Sequence, residues 1–317
     1  MDRSAPLVSV VVSARGNGSA VRSLLQSLTM QTLTDFDVII VDNDARRDRT
    51  ISSLVAAGNW PFAVRALREA RAGVSRGRNR GMRAARGHYI AITDPDITPR
   101  PTWLQALVSA AIEEKAAIVG GRVITSYPDG MAIAMDGPTS RPLAECHGPV
   151  DWPPGRTGYG WPYWIVTANL LIDRQVLPGL GLLRADLGRR GRLPLDCEDL
   201  EFADRAVQAG LRVVIEPGAV VDHPVGYART RLGWFLAQGI GHGVCVARMH
   251  TSVAVPAPAL RADRADMLDA LAALVGAWGF WDRALLAVGL RDLARIAAYH
   301  LERRRLACMG HTLLPPA

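Results

Sequence analysis

Short unbroken apolar runs alternate along the chain with segments whose apolar positions recur at helical spacing. Residues 7–12 (LVSVVV) and 36–41 (FDVIIV) are β-branched and continuous, the pattern of strands buried on both faces of a parallel sheet. The first run ends in the turn Ser13-Ala14-Arg15-Gly16-Asn17-Gly18, after which Ser19 is the expected cap of a helix carrying Val21, Leu24, Leu25 and Leu28 on one face. Further strands are expected at 63–67, 88–93, 117–123, 164–172 and 213–221, and helices at 73–85, 103–114, 198–209 and from 230 onward. This alternation predicts an α/β fold with a mostly parallel, Rossmann-like sheet flanked by helices and ligands at the strand carboxyl ends. Arg15, Asp42, Asp94 and Asp96 fall at those ends. The Pro- and Gly-rich stretch 127–161 predicts irregular loops of the kind that carry binding function, and 252–258 reads as a linker.

Composition narrows the chemistry. A chain of 317 residues, 49% hydrophobic, buries a core without disulfides or a structural metal. Cys146, Cys197, Cys245 and Cys308 contain no CxxC pair, so their spacing spells neither a disulfide ladder nor a cysteine zinc cluster and fits a reducing compartment. The formal charge is +7, yet Lys115 is the only lysine among 37 basic side chains, which removes lysine chemistry unless Lys115 carries it. The arginine excess suits phosphate, and GC-rich codon usage accounts for it equally. Aromatic residues, 6% of the chain, do not interleave with Arg, so no nucleic-acid partner is expected. Residues 1–6 lead into an apolar run too short for a signal-peptide core, and a cytoplasmic location follows as the expectation. The apolar stretch 270–281 is shorter than the roughly 20 residues a bilayer crossing needs. With Trp278, Phe280 and Trp281 before an Arg-rich helix, residues 268–305 read either as contact with the inner face of a membrane or as a helix packed on the domain or in a homodimer.

Three acidic or basic constellations carry candidate chemistry. Asp94-Pro95-Asp96 places two carboxylates one residue apart after a buried strand, where they can share a divalent cation and a sugar hydroxyl, or serve as plain turn residues. Gly73 through Gly81 puts glycines and arginines at a helix start, where Arg78 is the candidate phosphate contact and Arg76, Arg80 and Arg83 form a solvated face. Asp196, Glu198, Asp199 and Glu201 crowd another helix start, a site for a carboxylate base or simply for acids that suit the helix dipole. His223, after an apolar strand, is a candidate metal ligand or a structural histidine.

In order, the segments VSVVVSARGN, VIIVDND, EARAGVSRGRNRG, GHYIAITDPDITP, TANLLIDR, CEDLEFADRAVQAG and VVDHP resemble the family 2 glycosyltransferases of GT-A fold over roughly residues 6–250. The resemblance implies a catalytic domain at 1–250, with a nucleotide-sugar half at about 1–123 and an acceptor half at about 124–250, followed by a C-terminal helical segment at 251–317. By the same resemblance Asp42 contacts the nucleotide base, Arg15 lines the base pocket, and Gly73, Arg78 and Asn79 run along the nucleotide and diphosphate. Asp94 lies near the ribose or sugar and beside the metal, Asp96 and His223 hold Mn²⁺ or Mg²⁺, and Asp199 is the general base with Glu198 beside it. The implied reaction is inverting transfer of one sugar from a nucleoside diphosphate sugar, a UDP-sugar first, to a hydroxyl of a lipid-linked, glycan or small natural-product acceptor. Two features depart from the family pattern: Asp44-Ala45-Arg46-Arg47-Asp48 replaces the usual small hydroxyl-rich run, and no GGFDE-like acceptor loop stands at 179–184. A nicotinamide-dependent oxidoreductase is the competing reading, since Gly16-Asn17-Gly18 and Asp42 imitate a dinucleotide fingerprint; Val21 stands where its third small residue belongs. A non-catalytic nucleotide-sugar-binding protein is the other.

Overall fold

Every residue of the first strand, β1 (Val8–Ala14), is buried, as an unbroken apolar run requires of a strand covered on both faces. The structure, a computed structural model, describes residues 5–44, 49–131, 133–191, 194–251, 264–280 and 282–312. After β1 come α1 (Gly18–Leu28), β2 (Phe36–Asp42), α2 (Thr50–Ala57), β3 (Ala63–Arg68), α3 (Val74–Ala84), β4 (Tyr89–Thr93), β5 (Thr98–Pro99), α4 (Trp103–Glu114) and β6 (Ile118–Ser126). The chain continues through α5 (Arg141–Ala144), β7 (Thr157–Gly158), β8 (Asn169–Asp173), α6 (Leu177–Leu180), α7 (Glu198–Gln208), β9 (Val213–Pro224), α8 (Leu232–Met249), α9 (Arg264–Phe280) and α10 (Arg283–Cys308).

The strands form one sheet in the order β3-β2-β1-β4-β8-β6-β9-β5, with β7 also on β9. From β3 to β4 the pairing is parallel, the doubly wound half that the sequence pattern predicts. β8 runs antiparallel to both β4 and β6, and β5 and β7 run antiparallel to β9. The period-2 alternation of β1 and β2 divides the core. Val8, Val10, Val12, Val38 and Ile40 pack with α1, α2 and α4, whereas Val11, Ile39 and Val41 pack with α3 and α7.

Three local expectations change. The cap of α1 is Asn17 rather than Ser19, its Oδ1 accepting the Ala20 N–H at 3.1 Å. The strand expected at 164–172 starts only at Asn169, because its partner β4 ends at Thr93, directly opposite, and Thr93 Oγ1 donates to the Ala168 carbonyl at 2.7 Å. The stretch 127–161 is less irregular than its composition implies, since it contains α5 and β7.

The chain divides into two compact units. One comprises Met1–Ile124, Asp151–Asp186 and Glu198–His223; the other comprises Thr125–Val150, Leu187–Cys197 and Pro224–Ala317. The boundary expected at 250 therefore moves, because α8 belongs with α9 and α10. A Cβ on Gly239 or Gly243 of α8 would fall 2.4 or 2.1 Å from the carbonyl oxygens of Arg291 and Arg295 in α10, so glycine is what lets these two helices touch backbone to backbone. Among the described residues no helix is long and apolar enough to cross a membrane. The linker expected at 252–258, residues 45–48 and Trp281 lie outside the described residues.

Candidate active site

The carboxyl ends of β1, β2 and β4 open onto one loop cluster in the first unit. At the end of β2, Asp42 is buried and its Oδ1 accepts the Asp44 N–H at 3.0 Å, a local turn that aims the following residues. The next residue, Asn43, ties this turn to the segment before α3: its Nδ2 donates to the Arg71 carbonyl at 2.9 Å and its Oδ1 accepts the Gly73 N–H at 3.0 Å. Gly73 precedes α3 at φ 136°, a conformation that side-chain-bearing residues rarely adopt. A Cβ at Gly77 would meet Ser13 Oγ at 2.1 Å, so α3 presses directly on β1 and its start is held against the strand ends. Arg15, just beyond β1, is exposed at the same edge.

Arg78 projects from α3 into a nest of carboxylates. Its side chain is 4% exposed and donates to Asp94 Oδ1 at 2.7 Å and to Glu198 Oε1 at 2.5 Å. Burial alone would make this guanidinium easier to deprotonate, but the charges of Asp94 and Glu198 outweigh it and hold the cation more firmly than usual. Asp199, the next residue of α7, makes no such pair. Its Oδ2 accepts the Thr167 N–H at 3.0 Å and faces Thr167 Oγ1 at 3.4 Å, while Thr167 Oγ1 also lies 3.3 Å from Glu198 Oε1. Burial, reinforced by the Glu198 charge, pushes the Asp199 carboxyl up from 3.8 to about 7, against the lowering pull of Thr167 and Arg78. A carboxylate with that proton affinity is suited to take a proton near neutral pH.

Two residues after Thr167 comes Asn169, a fully buried amide. Asn169 Oδ1 accepts the Trp103 indole N–H at 2.8 Å and its Nδ2 donates to the carbonyls of Arg122 and Ala219. On the other side of the turn after β4, Asp96 faces His223. Antiparallel pairing of Thr98 with Asp222 brings the two together, with Asp96 Oδ2 and His223 Nε2 3.9 Å apart. That gap is too long for a hydrogen bond and short enough for one cation to bridge. A carboxylate and an imidazole are a donor pair that would suit Mn²⁺ better than Mg²⁺. His223 Nδ1 is buried without a hydrogen-bond partner, so the ring is held by packing with its other nitrogen toward Asp96.

Residues 9–142 match the family described as Glycosyl transferase family 2. The uncharacterized glycosyltransferase YibD of Escherichia coli is 36% identical over 115 residues, which cover 36% of this chain and 33% of that protein. Glycosyltransferase AglE of Haloferax volcanii is 27% identical over 231 residues, 71% of this chain and 69% of that protein. The chain thus matches only about a third of the first of these curated relatives. Among solved structures, the mannosyltransferase PcManGT from Pyrobaculum calidifontis, in complex with GDP-Man and Mn²⁺, superposes with a TM-score of 0.57 at 17% identity, covering 96% of this chain and 75% of that one. The fold is therefore of the GT-A glycosyltransferase type.

The structure gathers Arg78, Asp94, Glu198 and Asp199 into one cluster and Asp96 with His223 into another. Three of the expected residues have partners within the protein. The Asn79 amide donates to the Leu183 carbonyl at 2.7 Å and accepts the Leu183 N–H at 3.1 Å, so it fastens α3 to the loop before α7. Asp94 accepts from Arg78 through Oδ1, and Arg78 is shared between that carboxylate and Glu198. Asn43 and Thr167 were not foreseen. Asn43 directly follows Asp42 at a strand end, which is the one signal in the sequence that marks it; Thr167, between Val166 and Ala168, has none.

Proposed function

We propose that the protein transfers one sugar from a nucleoside diphosphate sugar to an acceptor hydroxyl with inversion, using Asp199 as general base. The observation that carries this reading is the division of the Glu198-Asp199 pair: Glu198 is taken by Arg78 at 2.5 Å, while Asp199 is left to the Thr167 N–H and burial raises its proton affinity. In the reaction the acceptor oxygen attacks the anomeric carbon, its proton passes to an Asp199 oxygen, and the bond to the diphosphate breaks with its electron pair leaving on the diphosphate. Asp96 and His223 would hold the Mn²⁺ or Mg²⁺, whose chemistry is to neutralise the negative charge that builds on the departing diphosphate. Arg78 keeps Glu198 and Asp94 in place, and Asp42, with Asn43 bracing the loop to Gly73, shapes the nucleotide side.

Acceptor recognition falls to the aromatic loop before Thr167. Trp161, more than half exposed, stacks on Trp164 with ring centroids 5.9 Å apart and an interplanar angle of 4°, a flat face suited to a sugar ring. The sequence favours UDP as the carrier and the structural neighbour holds GDP-Man, so the donor is to be decided by assay. On α9, Leu268, Leu271, Val275 and Trp278 form an exposed apolar row, which supports a lipid-linked acceptor at the inner face of a membrane. No observation favours hydride transfer, in which Arg78, Asp94 and Asp199 would have no task.

A panel of nucleoside diphosphate sugars, assayed for slow hydrolysis with and without Mn²⁺, tests the reading. The expected result is metal-dependent release of nucleoside diphosphate from one donor, abolished in Asp96→Ala. Equal release without metal, or none from any donor together with binding of NAD, would overturn it.

A further inference from the structure

The second unit holds a cluster of donors that the proposed reaction does not use. Asp196 and Cys197 precede α7, and His242 projects from α8. His242 Nδ1 lies 2.9 Å from Asp196 Oδ2 and 3.6 Å from Cys197 Sγ, and Cys197 Sγ lies 3.0 Å from Asp196 Oδ1. Among the described residues this is the one place where three such side chains converge. Two neighbours orient it: Gln238 Nε2 donates to Asp196 Oδ2 at 3.2 Å, and the Asp196 N–H points to Cys245 Sγ at 3.3 Å. Cys197 is buried and its backbone sits at φ 64°, so the chain turns its thiol into the cluster at some conformational expense.

We propose that Asp196, Cys197 and His242 bind a zinc-class divalent cation, at a site built from different residues than the Asp96–His223 pair. Zinc bonds of about 2.3 Å to sulfur and about 2.0 Å to nitrogen or oxygen set tetrahedral edges of about 3.5 Å for sulfur to nitrogen and about 3.3 Å for nitrogen to oxygen. The observed 3.6 Å and 2.9 Å separations need shifts of only a few tenths of an ångström to reach them. A thiolate in the set selects zinc and its soft neighbours over Mg²⁺ and Mn²⁺. Binding releases the Cys197 thiol proton and converts a mutually hydrogen-bonded trio into three ligands, leaving a fourth position for water. Gln238 then plays the part of an outer partner fixing the carboxylate. Because Cys197 directly precedes Glu198 in the chain, the cation would anchor the peptide at which the Glu198-Asp199 pair begins.

The test is metal titration of the full-length, metal-stripped protein with Co²⁺ as an optical probe and Zn²⁺ as competitor. We expect a thiolate-to-cobalt charge-transfer band that saturates at one equivalent, is displaced by Zn²⁺, survives Cys308→Ser and Asp96→Ala, and disappears in Cys197→Ser. His242→Ala should weaken Zn²⁺ by more than the roughly tenfold that even outer-partner losses cost. Should the Cys197 variant fail to fold, X-ray absorption on the zinc-loaded wild-type protein decides, with one sulfur expected at about 2.3 Å. A zinc shell of nitrogen and oxygen alone, no charge-transfer band, or a band that persists in Cys197→Ser would overturn the proposal and leave a hydrogen-bonded trio without metal affinity.

Discussion

The turn after β4 and the first turn of α7 each carry two acids, and Arg78 pairs with one of each, Asp94 at 2.7 Å and Glu198 at 2.5 Å. What remains differs between the two regions. Asp96 keeps a half-exposed side chain whose Oδ2 lies 3.9 Å from His223 Nε2. Asp199 is only partly exposed and sits beside a second carboxylate, and this environment raises its proton affinity. On the proposed reading, similar acidic pairs in the sequence would serve opposite chemistries, metal ligand and base, through burial and through which partner the arginine has taken.

The strongest way to break this comparison is Asp199→Asn. It should lower kcat by about 10²–10⁴-fold, the usual worth of a positioned base, while donor binding measured by calorimetry stays close to wild type. In the wild-type protein activity should rise with pH through about 7 as the base ionises. Stability should move the other way. Since the folded carboxyl binds its proton more tightly than the unfolded one, whose ordinary value is 3.8, its stabilising contribution is complete below 3.8 and lost as pH rises through about 7. Asn carries no charge to bury, so the variant should melt higher than wild type at pH 8, and thermal melts across pH should show the difference closing toward pH 4.

Next in size is Arg78→Met, which strips the shared partner from both regions. Removing one member of a buried ion-paired cluster leaves uncompensated charge and should destabilise by about 3–5 kcal/mol in chemical denaturation. The same change should move the acid limb of the activity profile to higher pH, because the Arg78 charge is one of the influences that lower Asp199. An unchanged acid limb in a folded Arg78→Met protein would show that the two regions are electrostatically independent.

Asp96→Ala tests the other side of the comparison. Apparent affinity for Mn²⁺, read through donor binding, should fall about 10–100-fold, with the pH profile of any remaining activity unmoved. His223→Ala should act in the same direction, whereas Asp94→Ala should behave like a weak form of Arg78→Met, since its carboxylate serves the arginine.

Much of this was legible in the residues. β1 and β2 read correctly because strands covered on both faces must be continuously apolar, and Asp42, Asp96 and Asp199 lie at the element ends where the apolar pattern stops. Partnerships across long separations were not legible. Asn79 is bonded to Leu183, 104 residues later, and Arg78 to Glu198, 120 residues later. Periodicity reports which face of an element is buried and is silent on which polar group it meets. The Asp196–Cys197–His242 trio escaped for the same reason, since cysteine spacing finds multi-cysteine sites and this one draws one cysteine, with its histidine 45 residues away.

The smallest expected effect belongs to Thr167→Val. Valine keeps the backbone N–H that reaches Asp199 at 3.0 Å and removes only the hydroxyl, whose contacts of 3.3 and 3.4 Å are long for hydrogen bonds. If the backbone donor is what positions the base, kcat at pH 8 should change by no more than about threefold, within the modest worth of one weak hydrogen bond. The acid limb should shift up by less than about one unit, because only a minor stabiliser of the ionised form is lost. A loss as large as that of Asp199→Asn would instead make the Thr167 hydroxyl a contact to the acceptor, and the base pair would become a trio.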